Sequence, residues 1–240
     1  MNELIIYSHS DCLLKDNGTY HPERKERLDI ILKSIREIKD INIAIKDAPL
    51  ANLEDISLVH PKKYIEDIFS KIPNSGLVGV EKEPYADTIL CANSKKAILR
   101  SCGAGIAAAN SIFNENKKRI FCAVRPPGHH AETCRANGFC FINNVAVTAR
   151  HLQKKYKKKK IAIIDFDVHH GNGTQEIFFN DPTVCYGSIH EFPLFPGSGS
   201  EKEIGVNNIF NAPILSGTTG KKFLKIFENK ILDNIDKFKP

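Results

Sequence analysis

The run from Ile161 to Gly173, IAIIDFDVHHGNG, constrains this chain more than any other. An unbroken apolar stretch such as IAII suits a strand buried on both faces, and such strands belong to parallel sheets covered by helices. The stretch ends in Asp165, Asp167 and His169, three groups able to bind or organise a metal. Alternate side chains of an extended backbone share a face, so these three are expected to point the same way. A second apolar run, Arg119 to Val124, leads into RPPGHH, Arg125 to His130, which sets two adjacent histidines on a Pro-Pro-Gly turn. Together the two runs suggest metal-assisted hydrolysis.

The rest of the chain alternates in the same sense. Leu4 to Tyr7 reads as a short strand, and HPERKERLDIILKSIREI as a helix whose Leu28, Ile31, Leu32, Ile35 and Ile38 recur on one face. A helix is expected over Pro61 to Lys71, and a long helical stretch, broken or continuous, from Pro84 to Asn114. RIFCAV, a helix from about Asn143 to Lys155, IAIID, a short helix near Gly173 to Phe179, and TVCYGSI then follow in βαβα order. That order predicts a mainly parallel sheet with helices on both faces. Ligands of such sheets gather beyond the carboxyl ends of the strands, where both motifs lie. No repeat, linker or low-complexity segment divides residues 1–240, which predicts a single domain.

Composition narrows the setting. The hydrophobic content of 42% supports a substantial core. Seven cysteines are an odd number with no CxxC pair, which reads as reduced thiols in an intracellular protein. No apolar run approaches the roughly 18–20 residues that span a bilayer. The N-terminus lacks a signal-peptide pattern, so a soluble cytoplasmic protein is expected, without membrane contact. The net charge of +6 is concentrated in KKYKKKK, Lys154 to Lys160. Short charge runs usually form solvated helix ends. A docking patch is the alternative, and direct nucleic-acid binding is not expected.

Asp and His side chains together suit zinc or a neighbouring first-row ion, and a hydrolytic centre needs an open position for water and substrate. The segments RPPGHHA, NGFCFINN, DFDVHHGNGTQ and SIHEFPLFPGSG, with HPERKER upstream, resemble the histone deacetylase superfamily, nearest its class II and bacterial deacetylase-like branch. The resemblance runs through nearly the whole chain in order. It implies the three-layer arginase-deacetylase α/β fold and zinc-dependent removal of acetyl groups from acetyl-lysine or a related amine, acetylpolyamine included.

Carried over by motif, the resemblance implies that Asp167 and His169 are two of three zinc ligands. It makes Asp165 the carboxylate behind His129, and His130 the base that takes a proton from zinc-bound water while His129 assists electrostatically. Asn172 would hold the second histidine through an amide, where other branches use Asp. Gly138 would hydrogen-bond the substrate amide, Phe139 and Phe195 would wall the acyl-lysine tunnel, and Arg27 would line an inner channel. Asp165, Asp167, His169, Ser188 and Ile189 match a monovalent-cation site that usually holds potassium.

The same resemblance calls for a third zinc ligand, an Asp, and for a tyrosine in a Gly-Gly-Tyr setting, and neither has a counterpart before Pro240. The expectation is therefore a C-terminally truncated domain whose missing strands would lie centrally in the sheet. Its activity would be impaired, and a C-terminal complementing segment is an expected partner. The alternatives are a non-catalytic remnant that binds acyl-lysine and an arginase-like manganese hydrolase. The tandem histidines and GFCF argue against the latter.

Overall fold

A computed structural model describes residues 3–80, 86–115 and 119–240, arranged as two compact units, Met1–Leu152 and Gln153–Pro240. Pro84, where the sequence placed the start of a long helix, lies outside the described residues.

The first unit contains β1 (Leu4–Ser8), α1 (Asp11–Leu14), α2 (Lys25–Glu37), β2 (Ile43–Asp47), α3 (Leu53–Ile56) and α4 (Lys62–Ser70). There follow β3 (Leu77–Gly79), β4 (Ile89–Cys91), α5 (Ser94–Asn114), β5 (Ile120–Cys122) and most of α6 (Asn144–Tyr156). Strands β2, β1 and β5 form a parallel sheet in that order, and β3 pairs antiparallel with β4. The alternation of β1 builds the layers. Ile5 and Tyr7 pack with Ala104 and Ala107 of α5 on one face, while Ile6 packs with Leu28 and Leu32 of α2 on the other. Helix, sheet and helix are thus the three layers of this unit. The small residues of α5 permit close approach: a Cβ on Gly103 would lie 2.0 Å from the Pro49 carbonyl oxygen.

The second unit contains β6 (Ile161–Asp165), α7 (Asn172–Phe178), β7 (Val184–Glu191), β8 (Ile209–Ile214) and a C-terminal helix. That helix is made of α8 (Gly220–Ile226), a π-helical segment Phe227–Leu232 and α9 (Asp233–Phe238). The strands pair parallel in the order β6-β7-β8, so that Asp165 lies beside Ser188 and Ser188 beside Asn211. Ile231 and Ile235 of the C-terminal helix bury Cys185, Ile189 and Ala212. Gly187 lets this helix settle, since a Cβ there would meet Ile231 at 2.8 Å.

The α/β fold with mainly parallel strands is as the sequence predicts, with instructive departures. The parallel strands form two separate sheets, with β5 at the edge of one and β6 at the edge of the other. The sequence reading did not foresee α1, β2, α3, β3, β8 or the helix from Gly220 to Phe238. Strand β8 carries Pro213, which lacks an N–H for a ladder and so argues against a strand, yet β8 is an edge strand, where proline is tolerated. The helical stretch expected from Pro84 begins only at Ser94, because Ile89–Cys91 pairs with Leu77–Gly79 instead.

Asn208 ties β8 to the turn before β7. It is 2% exposed, and its amide donates to the carbonyls of Phe178 at 2.8 Å, Asp181 at 2.9 Å and Val184 at 2.8 Å. Asn208→Ala orphans these acceptors and is expected to cost about 1–3 kcal/mol in a denaturant titration. A change within a few tenths of a kcal/mol would mean that water replaces the amide freely.

Candidate active site

In the first unit, β5 delivers Arg125 to His130 as expected. The turn is held by Pro126, whose carbonyl accepts from the Ser101 hydroxyl at 2.8 Å, and by Ala131, whose N–H donates to the Gly128 carbonyl at 3.0 Å. Gly128 is needed here, since a Cβ would come within 2.6 Å of the Asn144 nitrogen. His130 is buried at 4% exposure and His129 is half-buried, with their rings 3.9 Å apart.

The segment NGFC folds over His130. Asn137 and Cys140 exchange backbone hydrogen bonds, and between them Gly138 and Phe139 both have positive φ, 52° and 69°, as in the tight turns of hairpins. A Cβ on Gly138 would lie 2.5 Å from Cδ2 of His130, so only glycine lets this backbone lie on that ring. Phe139 is in a backbone region that bulky residues rarely adopt. Its N–H donates to the buried Thr88 hydroxyl at 3.1 Å, and its ring meets His21 edge-on at 4.8 Å. The structure therefore brings His129, His130, Gly138 and Phe139 into one neighbourhood. Arg27 stands exposed on α2.

Under this neighbourhood lies a buried charge network that sequence reasoning missed, although both ends sit in motifs it singled out. The Arg125 guanidinium forks onto both carboxylate oxygens of Glu23 and also donates to the carbonyls of Cys12 at 2.8 Å and Lys15 at 2.9 Å. Lys15 donates to Asn17 and to the Ile89 carbonyl, with its ammonium 3.9 Å from Glu23. Burial pushes the Lys15 ammonium down to about 8 against the pull of Glu23. Burial raises Glu23, but hydrogen bonds and charge from Arg125 outweigh it, and its pKa falls below the ordinary 4.5. The available signal was charge set directly against an apolar run, as in AVRPPG.

In the second unit, β6 ends at Asp165, and here one expectation is corrected. Extended alternation does not carry on through His169. The N–H of Asp167 donates to the Asp165 carboxylate at 3.1 Å, and the N–H of His169 to the Asp167 carboxylate at 2.8 Å. Two successive Asx turns thus curl the loop, because each carboxylate captures the N–H two residues on. Asp167 and His169 are still brought together, with Nδ1 of His169 3.1 Å from Oδ1 of Asp167. Both side chains are partly open to solvent, and the Phe195 ring is 6.1 Å from the His169 ring. Asp165 accepts from the Tyr186 hydroxyl at 3.0 Å. That hydroxyl is raised well above its ordinary pKa by burial and by Asp165. Ser188 and Ile189 are buried on β7, Ser188 paired with Asp165, and Asn172 opens α7.

An Asp carboxylate beside a His ring fits the donor preference of zinc. Among the described residues, no group of three or more His, Cys, Asp or Glu side chains is placed to hold a metal ion. Catalytic zinc uses three protein ligands, so this pair is a partial set.

An α/β chain with mainly parallel strands, paired histidines after one strand and an Asp/His loop after another, defines a narrow class. A family model described as the histone deacetylase domain matches residues 21–240. The chain is 33% identical over 242 residues to a probable deacetylase of Archaeoglobus fulgidus, covering 98% of this chain and 66% of that protein. It is also 33% identical over 255 residues to histone deacetylase 10, chloroplastic, of Oryza sativa subsp. japonica, covering 98% of this chain and 57% of that one. The crystal structure of the HDA15 HD domain superimposes with a TM-score of 0.89 at 29% identity, over 99% of this chain and 70% of that one. This chain belongs to the histone deacetylase family. It spans 57% to 66% of the length of these two relatives. Among the described residues, no helix is long and apolar enough to cross a membrane.

Proposed function

We propose that this chain serves the zinc-dependent hydrolysis of acetylated amines, with acetyl-lysine or acetylpolyamine as substrate and acetate as a product. The observation that carries this reading is His130, buried and fixed against Gly138 beside Phe139, in a chain of this family. Asp167 and His169 would hold the zinc, whose chemistry is to polarise a carbonyl and acidify water. His130 would accept a proton from the attacking water, and Asn172 would fix the tautomer of a histidine. His130 is buried at 4% exposure, and the half-buried His129 ring packs against it at 3.9 Å. Gly138 would hydrogen-bond the substrate amide. Phe139 and Phe195 would flank the acyl chain, and Arg27 would serve departing acetate. Asp165, Asp167, His169, Ser188 and Ile189 would together hold a potassium ion that stiffens the loop carrying the zinc ligands.

The test is turnover of an acetyl-lysine peptide and of an acetylated polyamine, with zinc quantified. Removing a general base costs about 100- to 10,000-fold, so in a form of the domain that turns over, His130→Ala should suppress turnover while leaving bound zinc unchanged. Activity surviving His130→Ala would assign the base elsewhere.

Zinc itself is expected to bind weakly or substoichiometrically. Losing even an outer partner of a ligand costs roughly 10–100-fold in affinity, and a missing ligand should cost no less. Asp167→Ala and His169→Ala should each remove what remains in equilibrium dialysis. Tight one-to-one zinc in the unaltered chain would show that another residue supplies the third ligand. The partial ligand set supports a second reading, an acyl-lysine-binding protein without turnover. Acetyl-peptide binding with no product would decide for it.

A further inference from the structure

Six lysines occupy seven positions from Lys154 to Lys160, interrupted only by Tyr156, and all six are exposed. The chain has 34 basic and 28 acidic residues, a net charge of +6, so this segment equals the whole excess and the remainder is balanced. Tertiary structure enlarges the patch. Lys157 has left-handed backbone, φ 54°, just past the end of α6, so Lys158, Lys159 and Lys160 leave the helix. Lys160 donates to the Phe238 carbonyl at 2.7 Å and lies 4.9 Å from the centre of the Phe238 ring. That contact brings the exposed Lys237 and Lys239 to the same surface. Acids on the neighbouring elements include Asp233 and Asp236 on α9, and Asp181, which holds Thr183 beside Gln153.

The chemistry of the surface selects its partner. A protein interface needs an apolar or aromatic centre and is depleted in lysine. Here the two aromatic rings are capped, Tyr156 by Lys155 at 5.3 Å and Phe238 by Lys160. A phosphate backbone requires only cations, and lysine presents a point charge without the fork by which arginine reads guanine. We propose that Lys154 to Lys160, with Lys237 and Lys239, form a docking surface for the phosphate backbone of nucleic acid, bound without base preference. This departs from the expectation, drawn from the sequence, of no direct nucleic-acid contact.

The test is fluorescence anisotropy with two labelled DNA duplexes of unrelated sequence, titrated between about 50 and 200 mM KCl. Both should bind equally. With about four phosphates neutralised, affinity should fall roughly 100-fold across that range. The triple variant K154Q/K158Q/K159Q should bind more than tenfold more weakly at low salt, and lower the salt slope by about 2–3. K154R/K158R/K159R should retain binding. K62Q/K63Q/K71Q, which removes equal charge from exposed lysines of the first unit, should stay within about twofold of the unaltered chain. Circular dichroism melts confirm that each variant is folded. No binding at low salt, equal losses in the two Gln triples, or tighter binding to polyglutamate than to DNA at matched salt would overturn the proposal. The last result would make the partner an acidic polypeptide.

Discussion

Glu23→Gln is expected to destabilise the protein by about 3–5 kcal/mol, the cost of removing one member of a buried ion pair. Glu23 is 3% exposed, Arg125 3% and Lys15 1%, so two cations would lose their carboxylate with no water to replace it. Typical domains have only about 5–15 kcal/mol to lose. Denaturant unfolding followed by circular dichroism measures the loss, and a value below about 1 kcal/mol would show that the network contributes little. The pH dependence gives a second reading. The folded pKa of Glu23 is lowered, so the unfolded state takes up a proton first on acidification. The contribution of Glu23 is present above pH 4.5 and is lost as pH falls through the folded value. Glu23→Gln should lack that component of acid destabilisation while keeping the rest.

Gly138→Ala should be nearly as damaging, and for a steric reason. A left-handed backbone costs a non-glycine residue about 1–2 kcal/mol. The added methyl would also stand 2.5 Å from the His130 ring, and overpacking of that kind costs about 1–3 kcal/mol. Gly76→Ala is the control. Gly76 has φ 76° and nothing within 4 Å of a Cβ, so it bears the backbone cost alone. The difference between the two variants isolates the contact with His130. Equal effects would mean that the ring moves aside freely. A shifted His130 ring resonance in Gly138→Ala would locate the strain.

Much of the candidate site was legible because its residues follow apolar runs that announce themselves. RIFCAV leads to His129 and His130, and IAIID to Asp165, in a β-then-turn order that local periodicity encodes. The helices over 25–37, 62–70 and 144–156 follow the same logic, one apolar face apiece. The failures have specific causes. Strand β8 was hidden by Pro213, and β4 by a helical signal that properly begins at Ser94. Asp167 and His169 do lie side by side, but their presentation departs from extended alternation, because each carboxylate accepts from the N–H two residues on.

The amino-acid sequence by itself determined which side chains are available and in what order. Apolar spacing and turn chemistry act over a few residues, and so are written locally. Only the tertiary structure decided that Glu23 and Arg125, 102 positions apart, bury each other's charge. It alone set Gly138 on the ring of His130 and brought Lys160 to the Phe238 carbonyl, 78 positions away. Such pairings depend on how sheets and helices stack, since a buried charge survives only where packing supplies its counter-charge, and no local pattern records that partner.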